Sequence, residues 1–179
     1  DYHPHTVLVD CTASAAVARR YVDWLERGIH VVTPNKRANT ASWNRYERVQ
    51  AASRGPGPSY LYETTVGAGL PFIQTLQNLF ETGDRVHHVE GILSGTLSYL
   101  FNAFDGYRPF SDILRQAKAE GFTEPDPRDD LSGMDVARKV VILAREIGLP
   151  LELGDVSIDG LVPEELRDGS IEAFLERLP

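Results

Sequence analysis

The sequence predicts an α/β fold in two domains, and three observations carry that reading. Short apolar runs at Val7-Leu8-Val9-Asp10 and Ile29-His30-Val31-Val32 flank a stretch of helical periodicity, which is the pattern of a βαβ unit. The glycine-rich turn Thr65-Val66-Gly67-Ala68-Gly69-Leu70-Pro71 marks a change, after which helical spacing dominates. Apolar residues make up 42% of the 179, enough for a packed core and too many for a disordered chain.

The elements follow in order. A helix over 15–27 presents Val17, Tyr21, Val22, Trp24 and Leu25 on its apolar face, with Gly28 as its C-cap. The second strand stops at Thr33-Pro34-Asn35. A helix over 42–53 carries Trp43, Tyr46, Val49 and Ala52 on one side; Gly55-Pro56-Gly57-Pro58 breaks it, and a strand follows at 60–62. Past the glycine turn, Pro71 lies near the first turn of a helix marked by Ile73, Leu76, Gln77 and Phe80 and ended by Gly83. A strand is expected at 86–93, then the turn Ser94-Gly95-Thr96, a helix over 97–104, and a helix over 111–120 capped by Ser111 and closed by Gly121. Pro125 and Pro127 predict a loop over 123–130. A long helix over 132–147, a strand at 156–158 and an amphipathic helix at 170–178 complete the chain.

Charge and composition exclude several classes. With 18 basic against 26 acidic residues the net charge is −8, which argues against holding a nucleic-acid backbone. No apolar run approaches the roughly 18 residues of a membrane span. A single cysteine, Cys11, rules out an internal disulfide framework and a Cys-rich zinc site, so a reducing, cytoplasmic setting is expected. Asp1-Tyr2-His3-Pro4-His5 does not read as a signal peptide, and its abrupt entry into a core strand predicts a fragment of something longer.

Four places could carry chemistry. Gly67-Ala68-Gly69 stands between a strand and a helix, but Phe72 occupies the third glycine position of a dinucleotide fingerprint. It reads either as a domain-crossing turn or as a cation site built from the carbonyls of Val66, Ala68 and Leu70 beside Glu63. Lys36 follows the end of a parallel strand, where ligands of open sheets bind; it is either a solvated loop residue or a group that meets an anion or moves a proton. Between 124 and 135 the chain places five carboxylates: Glu124, Asp126, Asp129, Asp130 and Asp135. Asp135 and Lys139 are four apart on one helix face. They form either an ordinary surface ion pair, worth about 0.3–0.5 kcal/mol, or part of a grip on a substrate ammonium with a lysine placed to move a proton. Lastly, His3, His5, His30, His87 and His88 show no metal-ligand spacing, with His87 and His88 expected on opposite faces of a strand. The tryptophans and tyrosines fall on core faces and are assigned no function.

Four segments in order resemble homoserine dehydrogenase: Val31-Val32-Thr33-Pro34-Asn35-Lys36; Tyr62-Glu63-Thr64-Thr65 through Pro71; Gly91-Ile92-Leu93-Ser94-Gly95-Thr96-Leu97-Ser98-Tyr99; and Gly121 through Lys139. The last is similar to that family's long signature, and Gly133-Met134-Asp135 is most similar to members fused behind an aspartate kinase. The resemblance implies NAD(P)H-dependent interconversion of aspartate 4-semialdehyde and L-homoserine, in the route to threonine, methionine and isoleucine. It implies that residues 1–69 are the C-terminal half of a Rossmann-like dinucleotide-binding domain. Residues 70–179 would then be an α+β catalytic and dimerisation domain with a mixed sheet, in a homodimer.

Residue by residue, the resemblance makes Lys139 the proton donor and Lys36 a second lysine near nicotinamide and substrate. Glu124, Asp130, Asp135 and Thr96 match substrate contacts, and Thr12 and Gly121 match nucleotide contacts. Glu63 with the carbonyls of Val66, Ala68 and Leu70 matches a sodium or potassium site. The family's glycine fingerprint and its C-terminal return to the nucleotide domain are not among these residues. The expectation is therefore a substrate site with half a cofactor site, the alternative being a non-catalytic dimerisation or ligand-binding fragment.

Overall fold

The computed structural model describes residues 5–178, so the strand and helix assignments below concern those residues, and His3 lies outside them. The chain forms two compact units, Asp1–Val89 with Arg138–Val156, and Glu90–Ala137 with Ser157–Pro179.

The first unit is built on three parallel strands, β1 (Val7–Val9), β2 (His30–Val32) and β3 (Tyr60–Leu61), in the order β1-β2-β3. Val7, Leu8 and Val9 stand opposite His30, Val31 and Val32, while Val31 and Val32 stand opposite Tyr60 and Leu61. Between β1 and β2 the expected single helix is two short ones, α1 (Ala15–Ala18) and α2 (Tyr21–Leu25). The chain tightens between them, where the Arg20 amide reaches back three residues to the Val17 carbonyl at 2.9 Å. Helix α3 (Trp43–Ala52) joins β2 to β3, and α4 (Phe72–Glu81) follows a 3₁₀ turn at Glu63–Thr65. Tyr21, Leu25, Val31, Val49 and Val66 are fully buried in this unit.

The second unit is helical: α5 (Gly95–Ala103), α6 (Phe110–Ala119), α7 (Pro127–Leu131) and α9 (Ile171–Arg177). Its core gathers Leu100, Ile113, Leu114, Leu131, Leu166 and Phe174. Helix α8 (Met134–Glu146) begins in this unit and continues in the first.

Several expectations are corrected here. The strands expected at 86–93 and 156–158 do not form, and no strand of a mixed sheet occurs among the described residues of the second unit. A strand exists only where a neighbouring strand takes its amides and carbonyls. Val89 and Ile92 are exposed, the apolar run at 86–93 joins no sheet among the described residues, and His87 and His88 lie on no strand. The loop expected over 123–130 is interrupted by α7. Pro127 does not block that helix because it stands in the first turn, where its missing N–H has no intrahelical partner to lose. Pro109, rather than Ser111, occupies the N-cap of α6, and Ser111 is buried inside its first turn.

Candidate functional site

The C-terminal ends of β1 and β2 are joined by a buried polar network. The Tyr21 hydroxyl donates to Asp10 Oδ2 and lies 3.0 Å from Thr33 Oγ1. Thr33 Oγ1 donates to the Asp10 carbonyl at 2.8 Å, and Asn35 Nδ2 donates to Asp10 Oδ2 at 3.0 Å and to the Ser14 carbonyl at 3.1 Å. The Thr12 amide donates to Asp10 Oδ1 at 2.8 Å. Burial alone would raise the Asp10 carboxyl, but the bonds from Tyr21, Asn35 and Thr12 outweigh it and hold the group below its ordinary value. Asp10, Tyr21, Thr33 and Asn35 are all buried. The two loops that carry Thr12 and Lys36 are thereby anchored on one carboxylate.

Sequence reasoning passes over Asp10 and treats Tyr21 as part of an apolar face. The available signal is a carboxylate closing a buried strand beside Pro-Asn, since such a group needs partners.

The second unit brings three of the expected substrate residues together. The Thr96 hydroxyl lies 2.8 Å from the Phe122 carbonyl and 3.0 Å from Asp130 Oδ1, two acceptors that compete for its single proton. The Glu124 amide donates to Asp130 Oδ2 at 2.7 Å. Asp130 thus fixes the backbone that displays Glu124, whose side chain is exposed. Asp126 instead caps α7 through the Arg128 amide and pairs with the Arg128 guanidinium at 2.6 Å. Arg128 also donates to the carbonyls of Arg167 and Gly169, tying α7 to the start of α9. Asp135 and Lys139 lie four residues apart on α8, both half-buried. Gly121 has a local structural role. With φ +79° it ends α6, its amide on the Lys118 carbonyl and the Phe122 amide on the Ala117 carbonyl, a left-handed cap that glycine adopts without a Cβ penalty.

Glu63 works as a helix cap. Its two carboxylate oxygens accept the amides of Ile73 and Gln74, at 2.9 and 3.0 Å, at the positive end of α4. Between them the chain turns through Gly67 (φ +78°) and Ala68 (φ +53°), and the Leu70 carbonyl accepts the Phe72 amide at 2.9 Å. The Glu63 carboxylate and the carbonyls of Val66, Ala68 and Leu70 are hard oxygen donors, the type an alkali cation takes, and a carbonyl that accepts one amide keeps a further lone pair. Among the described residues no group of three His, Cys, Asp or Glu could hold a metal ion, and no helix is long and apolar enough to cross a membrane.

Two family models match the chain. Residues 2–63 match the family model "Homoserine dehydrogenase, NAD binding domain", and residues 71–177 match "Homoserine dehydrogenase". A bifunctional aspartokinase/homoserine dehydrogenase of Arabidopsis thaliana, named as chloroplastic, is 59% identical over 177 residues, 98% of this chain and 19% of that protein. A crystal structure of a Candida auris protein of unknown function superposes with a TM-score of 0.91 at 43% identity, over 98% of this chain and 51% of that one. A putative homoserine dehydrogenase from Archaeoglobus fulgidus gives 0.75 at 29% identity, over 94% and 50%. The chain spans about a fifth of the curated relatives it matches. With its two family models covering most of its length, the chain belongs to the homoserine dehydrogenase family.

Proposed function

We propose that this chain is part of an enzyme that interconverts L-homoserine and L-aspartate 4-semialdehyde with NADP or NAD. The observation that carries the reading is the Thr96–Asp130–Glu124 arrangement, because it presents an exposed carboxylate on a backbone held at both ends. Glu124 holds the substrate ammonium, with Asp130 and Thr96 keeping its loop in place and Asp135 orienting the substrate. Lys139 gives a proton to the alkoxide formed from the aldehyde oxygen, and takes it from the hydroxyl in the reverse direction. Lys36, on the loop anchored by Asp10, would act near nicotinamide and substrate, and Thr12 and Gly121 would hold the nucleotide when it binds. The dinucleotide, when bound, supplies the hydride chemistry. The parallel sheet fits it, since the Thr12 and Lys36 loops leave the edge at which such folds take ligands.

In the same reading residues 1–69 form the C-terminal half of the dinucleotide domain, and residues 70–179 form the catalytic and dimerisation domain. A sodium or potassium ion at Glu63 and the carbonyls of Val66, Ala68 and Leu70 has a structural role. Exposed Ile92, Phe101 and Phe104 on the second unit support a homodimer, and the fused relatives support fusion to an aspartate kinase. One exposed cysteine suits a reducing aqueous compartment such as the cytoplasm.

The test is oxidation of L-homoserine by the intact gene product, followed by the absorbance of the reduced nucleotide. Lys139→Ala should lower kcat by about 10²–10⁴-fold, the usual loss for a positioned proton donor, while Glu124→Gln should chiefly raise the KM for homoserine. A Lys139→Ala enzyme that keeps more than about a tenth of kcat removes the proton-transfer role. Wild-type protein that neither turns over nor binds nucleotide would favour a non-catalytic module instead.

A further inference from the structure

The first unit holds a feature that the proposed reaction does not use. A cavity of about 260 Å³ opens among α1, the segment that follows β2, and α8. Four of its lining residues are arginines, Arg19, Arg37, Arg45 and Arg138, and none is acidic. That reverses the balance of a chain with 26 acidic against 18 basic residues. Most of the remaining lining is small, three alanines among it, so the space lies open beside the guanidinium groups.

The arrangement has a fixed part and an adaptable part. Arg45 Nη2 donates to the Arg19 carbonyl at the end of α1, which orients one guanidinium and leaves it further donors. Arg45 and Arg138 are half-buried, whereas Arg19 and Arg37 are exposed and can swing over an occupant. Cations gathered around one cavity repel each other unless an anion shares them. Planar guanidinium forks match the oxygens of phosphate in pairs, which makes arginine the usual reader of such groups.

We propose that this cavity is a binding site for a phosphate group carried on a small molecule. At about 30 Å³ per water its volume corresponds to roughly nine waters, room for a phosphate and a short body but not for a whole dinucleotide. The phosphate could belong to part of a bound nucleotide or to a separate phosphorylated metabolite, and the two sources can be told apart. The proposal stands whether or not the reaction above is correct, because its readout is binding.

Calorimetric titration of the chain with inorganic pyrophosphate, at ionic strength held constant with sodium chloride, tests it. Saturable binding is expected, weakened at least about tenfold in Arg19→Gln/Arg37→Gln, since each lost charge-assisted contact is worth more than a neutral hydrogen bond. The ligand-free double variant should melt no lower than wild type, because repulsion has been relieved; should it fail to fold, Arg37→Gln alone gives the same reading. Competition by NADPH assigns the site to a nucleotide phosphate, and simultaneous binding assigns it to a separate metabolite. No saturable binding at constant ionic strength, or equal affinity in the variant, overturns the proposal.

Discussion

Removing one hydroxyl from the Asp10 network is the sharpest perturbation the structure offers. Tyr21→Phe keeps a ring that packs against Trp24 and Tyr60, with centroids 6.1 and 5.7 Å away, so no cavity opens. It deletes the donor on Asp10 Oδ2 and the contact with Thr33, in a place where Tyr21 is 0% and Asp10 4% exposed. Asp10 then keeps Asn35 and Thr12 as donors. A hydrogen bond to a charged group contributes about 1.5–3 kcal/mol, so a loss of about 2 kcal/mol is expected at pH 7. Urea unfolding followed by tryptophan fluorescence should show a lower midpoint at unchanged slope.

The pH dependence supplies the second half of this test. The folded carboxyl of Asp10 lies below its ordinary 3.8. Its contribution is therefore present above that value and is lost as pH falls through the folded one. In acid the phenol meets a neutral carboxyl, worth about 0.5–1.5 kcal/mol, so the gap between wild type and variant should narrow. A loss under about 0.5 kcal/mol at pH 7, less than a neutral hydrogen bond typically contributes, or a gap that does not change with pH, refutes the claim that this carboxylate anchors both loops.

Two further outcomes follow from the charged groups of α8. Burial above all raises the Glu146 carboxyl, a nearby Glu63 adds to it, and donors from Tyr62 at 2.7 Å and Gln77 at 2.8 Å offset it only in part. A raised folded value means that stability is fully present below the ordinary 4.5 and declines as pH rises through the folded value, so Glu146→Gln should match wild type in melts at pH 4 and exceed it at pH 7. Arg145 is 3% exposed and bonds the carbonyls of Leu151, Asn39 and Ala41 and the Glu152 carboxylate. Arg145→Lys cannot span that set with one ammonium, and a loss of about 1–3 kcal/mol is expected by urea unfolding, because buried carbonyls are left without their donors.

Helix periodicity is the most legible part of the fold. The helices expected over 42–53 and 170–178 occur as Trp43–Ala52 and Ile171–Arg177, because local spacing decides which face is buried. The strands divide by context. Those at Val7–Val9, His30–Val32 and Tyr60–Leu61 find one another and form the parallel sheet, whereas an apolar run at 86–93 of equal promise joins no sheet. Strand formation depends on a second segment, and periodicity within one segment carries no information about it. Pro127 shows the converse: a proline cannot sit inside a helix, yet the first turn tolerates it, and composition alone does not say where that turn begins.

The candidate site splits along the same line. Glu124, Asp130, Asp135 and Lys139 are visible because they crowd one short stretch. Thr96, which bonds Asp130 across 34 positions, is reachable only through the family resemblance. The residues that hold the display steady are the hardest to see. Tyr21 looks apolar until its hydroxyl is found on a carboxylate, and the capping role of Glu63 shows only once its oxygens are found on the amides of α4. Each is a long-range partner of a group that would otherwise be left buried or uncapped, and polar satisfaction is a property of the assembled unit. The same reasoning separates three of the five carboxylates between 124 and 135. Asp126 and Asp130 turn their oxygens inward on Arg128, Thr96 and backbone amides, which leaves Glu124, exposed on the loop that Asp130 steadies, as the acid of that loop best placed to meet a ligand.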